Sequence, residues 1–103
     1  MSDRERLPNR RAAETFDIEA SGLRYTVTIG RYDDGRVSEV FLENHRAGSH
    51  AGILANDVAV VCSIALQYGA PFDVIRKALM RDPRGKASGP LGTALDRIEE
   101  VPS

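Results

Sequence analysis

The chain has 103 residues, with 14 basic against 15 acidic side chains and a formal net charge of -1. That length suits one domain with one modest core. The near-zero charge excludes a general attraction to nucleic acid or to an anionic membrane. A single cysteine, Cys62, excludes an intramolecular disulfide. No secretory leader and no long unbroken apolar run is seen, so no membrane partner is expected and the cytoplasm is the expected compartment.

Residues 1–13 are polar, charged and aperiodic, with Pro8 and Asn9 in the middle, and read as an extended basic arm. From Glu14 to Ala20 the chain alternates, with Phe16, Ile18 and Ala20 opposed to Thr15, Asp17 and Glu19, the period of a half-buried strand. Ser21-Gly22 makes a tight turn. Leu23 to Ile29 alternates again, with Leu23, Tyr25, Val27 and Ile29 on one face and β-branched residues throughout. Asp34-Gly35 is a hairpin signal. The third strand, Arg36 to Leu42, is apolar at Val37 and Phe41 on one face and at Val40 and Leu42 on the other, which predicts cover on both sides.

Ser49 to Tyr68 organises the rest. Leu54, Val58, Val61, Ala65 and Tyr68 form one helical row and Ile53, Val60 and Ile64 a second beside it. This stripe is wider than one packing face needs, and predicts both a sheet and a second subunit as partners. Ser49 is an N-cap, and Gly69 with Ala70-Pro71 a stop. Phe72 to Met80 is a second helix with Val74, Ile75, Ala78 and Leu79 inward. Pro90 to Ile98 is a third with Leu91, Ala94, Leu95 and Ile98 inward. The domain therefore spans 14–98, with a polar tail at 99–103. The fold class is α+β: a three-stranded antiparallel meander sheet covered by one long helix, followed by one or two short helices. Sheet and helix are each left partly uncovered, so a homodimer or larger oligomer is expected.

Candidate site residues follow from charge and position. Arg10 and Arg11 in the arm suit an acidic partner or a phosphate, although a solvated tail also explains them. Arg31, Arg36 and Glu39 on the sheet suit a charged ligand, or cross-strand ion pairs. His45 and His50 flank the start of the long helix, but their spacing matches no strong metal pattern. Asn56 and Asp57 interrupt the stripe, either at a solvated edge or as a polar cluster at an interface or pocket. Arg84 and Lys86 sit in a glycine-rich loop that reads as a flexible connector, although free N–H groups at the following helix start could hold a phosphate together with them. Cys62 has only apolar neighbours at helical spacing and reads as core. No nucleophile–base pair or metal set stands out, so neither a catalytic residue nor a cofactor is assigned.

Four blocks, RLPNRR with ETF (Arg6 to Arg11, then Glu14 to Phe16), DGRVSEVFL (Asp34 to Leu42), SIALQYGAP (Ser63 to Pro71) and GPLGTALD (Gly89 to Asp96), resemble the TSCPD domain. That domain stands at the C-terminus of adenosylcobalamin-dependent (class II) ribonucleotide reductases, with small free-standing relatives. The resemblance implies a small α+β accessory domain linked to deoxynucleotide synthesis and a class II reductase as a partner. The Thr-Ser-Cys-Pro-Asp string that names the domain is absent, as is a terminal cysteine pair for electron relay, so no catalytic residue is carried over. The competing reading is a small oligomeric binder of a nucleotide or another phosphate compound.

Overall fold

The computed structural model describes residues 3–7, 12–46 and 48–100. Three strands, β1 (Ala12–Ala20), β2 (Leu23–Arg31) and β3 (Val37–Asn44), are followed by α1 (His50–Gln67), α2 (Phe72–Ala78) and α3 (Pro90–Glu100). The strands form one antiparallel sheet in the order β1-β2-β3, the expected meander. β1 begins two residues earlier than the alternation indicated, and α3 runs two residues further.

Local chemistry sets the corners. Ser21 and Gly22 both hold positive φ, 53° and 77°, the pair a two-residue type I′ hairpin needs. The Ser49 hydroxyl accepts from Gly52 N–H at 3.0 Å and caps α1. Gly69, at φ 99°, ends it in a Schellman motif: Gly69 N–H donates to Leu66 O and Ala70 N–H to Ala65 O.

The core lies between one sheet face and the helices. Ile18, Tyr25, Val27, Ile29, Val40 and Leu42 meet Leu91, Ala94, Leu95 and Ile98 of α3 and the inner side of α1. α3 covers β1, whereas α1 lies along the free edge of β3. There the Ser63 hydroxyl accepts from Val40 N–H at 2.8 Å and donates to Val40 O at 3.0 Å, and Gln67 Nε2 donates to Ser38 O at 3.0 Å. The helix thus closes an edge that could otherwise pair with another chain.

The broad stripe of α1 was expected to meet both the sheet and a second subunit, but neither of its large apolar rows packs on the sheet. The side facing the sheet is Ala55, Ala59, Cys62, Ser63, Leu66 and Gln67. The large apolar rows face outward, with Leu54 56% and Val61 66% exposed. The reason is steric: a helix hydrogen-bonded to a strand edge must approach closely, and only small side chains permit that. Two lesser corrections have similar causes. β3 is not apolar on both faces, because a register shift between Gly30 and Arg31 makes Ser38 an inserted residue and brings Val37 into the same core as Val40 and Leu42. Its other face carries buried Glu39 and half-exposed Phe41. In α2 the inward residues are Phe72, Ile75 and Leu79, while Val74 and Ala78 are exposed.

By length and composition α1 is apolar enough to cross a membrane. Its apolarity has a local explanation, since one side is core and the other is an exposed apolar face.

Candidate functional site

Three surfaces bring together the charged and polar residues singled out in the sequence. The first is at the end of the sheet near the arm. Arg36 holds Glu5 in a two-pronged ion pair, Nη1 to Oε1 at 3.1 Å and Nη2 to Oε2 at 3.0 Å. Its Nε donates to Asp34 Oδ2 at 2.6 Å, and its guanidinium lies 4.7 Å from the Tyr32 ring centroid. Hydrogen bonds from the Arg36 backbone and side chain hold the Asp34 carboxyl below its ordinary range, and burial together with the Glu5 charge pushes the Tyr32 hydroxyl up. Glu5 N–H also donates to Gln67 O at 2.7 Å, and Arg4 Nε to Gln67 Oε1 at 2.5 Å. Residues 3–7 are therefore stitched across the end of α1. The sequence reading took this stretch as a basic arm and missed Arg4, Glu5, Tyr32 and Gln67; the available signal was an acid, Glu5, between two arginines. Arg10 and Arg11 lie outside the described residues.

The second surface is a cleft of about 850 Å³ between the outer sheet face and the start of α1. It collects His45, Asn56, Phe41, Ile53, Thr26 and Arg46. His45 Nε2 pairs with Thr26 Oγ1 at 2.8 Å, and Thr26 donates onward to Asp17 at 3.0 Å. This places His45 and Asn56 together, but not His50, which sits exposed on the first turn of α1. Asp57 is exposed in the midst of the outward apolar face.

The third is a cleft of about 530 Å³ beside α3 that includes Lys86. Its walls carry Arg24, Lys86 and Arg97 against Asp17, Glu19, Asp96 and Glu100. Carboxylates match the cations there, so it is a poor phosphate site. The loop before it is also engaged: the Asp82 carboxylate accepts from Arg84 N–H at 2.9 Å and Lys86 N–H at 3.0 Å. An internal anion thus occupies two N–H groups of the loop itself, ahead of the α3 start whose N–H groups the pattern offered to a phosphate. Arg31 likewise pairs with Glu14 at 2.8 Å. Glu39 is 6% exposed and lies over Gly30, where an added Cβ would fall 2.6 Å from Glu39 Oε2.

Among the described residues no group of three or more His, Cys, Asp or Glu side chains could hold a metal ion. Burial pushes the Cys62 thiol up to about 11, which removes it as a nucleophile near neutral pH. Most of the large apolar side chains that the described surface exposes stand on α1, among them Ile53, Leu54, Val60 and Val61.

The family model for the TSCPD domain matches residues 4–98. Vitamin B12-dependent ribonucleotide reductase of Bradyrhizobium diazoefficiens is 37% identical over 73 residues, which is 71% of this chain and 6% of the relative. The protein of the same name from Rhodopirellula baltica is 38% identical over 72 residues, 70% of this chain and 7% of its own. That of Streptomyces coelicolor is 31% identical over 90 residues, 84% and 9% respectively. The chain thus spans less than a tenth of the length of each of these relatives. No solved structure matches it. With one family model running from the docked arm to the last turns of α3, the chain belongs to the TSCPD domain family.

Proposed function

We propose that the chain is a cytoplasmic, non-catalytic accessory or regulatory protein of deoxynucleotide synthesis, acting by binding a vitamin B12-dependent ribonucleotide reductase. The observation that carries this reading is the family match over residues 4–98, shared with reductases in which it covers only a small part of the chain. A segment of this kind with its own core and a closed sheet edge is suited to act as a separate body. The alternative, a nucleotide or other phosphate ligand held by this chain, is disfavoured by the Asp82 carboxylate on the loop N–H groups and by the pairing of Arg31 and Arg36 with acids.

The test uses a purified B12-dependent reductase with and without this chain. Co-sedimentation and a changed rate of ribonucleotide reduction are expected. Neither association nor a rate change, at chain concentrations well above those of the enzyme, would refute the proposal.

A further inference from the structure

We infer that the outward face of α1 is a self-association surface, on which a second copy of this chain lays its own α1 antiparallel about a two-fold axis. Leu54, Val58, Val61, Ile64 and Tyr68 stand 38–66% exposed on one face of the helix. Phe41, 48% exposed, extends the patch by way of Ile53, with which it lines one cleft. The opposite side of α1 is already used by its own sheet. A helix apolar all round belongs inside something, and here the fold covers only half of it.

The area fits a second copy. The exposed apolar side chains of α1 with Phe41 leave on the order of 700 Å² in water, well above the few hundred Å² usual for a monomer's patch and near the ~800 Å² each partner contributes to a standard interface.

Shape fits it better still. Along one side of this face Ala51, Leu54, Val58, Val61, Ala65 and Tyr68 repeat in steps of three and four, the seam of a coiled coil. Small residues stand at its ends and the large ones between or beyond them. An antiparallel partner centred between positions 59 and 60 sets Leu54 opposite Ala65, Tyr68 opposite Ala51, and Val58 opposite Val61. Leu54 and Tyr68 then each meet an alanine, the two valines meet each other, and the axes can approach closely. A parallel partner would stack Tyr68 on Tyr68 and leave a gap at Ala65. Asp57 and His50 lie beside the seam, between it and the row of Ile53, Val60 and Ile64, so their exposed polar ends must stay solvated where the two helices cross. The inference is independent of the reductase reading, because association here needs only this chain.

Light scattering coupled to gel filtration tests it, run from micromolar to high micromolar protein. The expected mass is about twice 11.3 kDa. Val61→Asp should elute as one copy while keeping the wild-type circular dichroism and a cooperative melt, since Val61 is 66% exposed in the single chain. Register is read by oxidising cysteine variants. Leu54→Cys mixed with Ala65→Cys should give a crosslinked pair, and neither variant alone should. A wild-type chain that stays at 11.3 kDa overturns the inference. So does a dimer that survives Val61→Asp, or crosslinking of Leu54→Cys with itself. A monomer whose binding to a reductase or to lipid vesicles is lost in Val61→Asp would hand the face to that other occupant and equally overturn it.

Discussion

Replacing Ser63 by alanine tests how α1 is held against the sheet. β3 is an edge strand, and the outward N–H and C=O of Val40 have the Ser63 hydroxyl as their partner, at 2.8 and 3.0 Å. Val40 is fully buried and Ser63 8% exposed, so water does not replace a lost hydroxyl easily. A buried backbone donor left unsatisfied costs about 1–3 kcal/mol. At roughly 4–8 °C per kcal/mol for a domain of this size, a loss of about 2 kcal/mol lowers Tm by about 8–16 °C. In urea the midpoint should fall with no change in slope. The matched control is Ser38→Ala. Ser38 is also fully buried, but its hydroxyl has no hydrogen-bond partner among the described residues, so removing it should leave stability unchanged or raise it. Both variants are melted at one protein concentration, because association would shift Tm by mass action. Equal effects of the two substitutions, or a Ser63→Ala shift below about 2 °C, would refute the edge-capping account.

Asp96 joins α3 to the α2 region through Arg81, at 2.8 Å from both Nη atoms, and Arg76 at 3.1 Å. These donors hold its carboxyl below the ordinary 3.8, so its stabilisation is complete at neutral pH and is lost as pH falls from about 4 downward. Asp96→Asn should cost about 1–3 kcal/mol at pH 7, and melts of the two proteins should converge at low pH. Cys62, with its thiol pushed up to about 11, should react with a thiol reagent in mild alkali at least tenfold slower in the native chain than in denaturant; equal rates would place it outside the core. Gly30→Ala should destabilise by about 1–3 kcal/mol through overpacking, because its Cβ would meet Glu39 Oε2 at 2.6 Å and Cγ at 2.9 Å. Adding Glu39→Ala should then cost less than it does in the wild-type chain, as a double-mutant cycle by urea melts can show.

The elements were legible because each is punctuated by a residue with a local mechanism. Ser21-Gly22 supplies positive φ, Ser49 a capping oxygen, and Gly69 a left-handed stop. Inner and outer faces were largely legible where polarity alternated, as in β2 and α3: Tyr25, Val27, Ile29, Leu91 and Leu95 are buried as expected, whereas Leu23, on the same row at the start of β2, is exposed. Legibility failed where both sides of an element are apolar or where a register irregularity intervenes. The inserted Ser38 carries no sequence mark of its own. Among the candidate site residues, Arg31 and Arg36 were chosen for their charge, and their acid partners Glu14 and Glu5 come from elsewhere in the chain. The Arg36–Glu5 pair spans 31 positions, a separation that no periodicity reports.

The inner side of α1 shows why size is the wrong guide for such a helix. Hydrophobic burial scales with area, so the large rows attract attention as the core face. A helix docked on an open strand edge obeys a different requirement. It must bring hydrogen-bonding groups to a buried backbone, so its inner side needs small residues for approach and one or two polar side chains for the free N–H and C=O groups. Ala55 and Ala59 meet the first need, and Ser63 and Gln67 the second. The polar residues that seemed to interrupt the stripe, Asn56 and Asp57, are exposed, while Ser63 and Gln67, which drew no notice, are the buried ones. With the sheet edge closed in this way, further strands cannot readily be added there. Most of the large apolar side chains left exposed then lie on the helix itself, so the second copy inferred above would meet this part of the chain helix against helix.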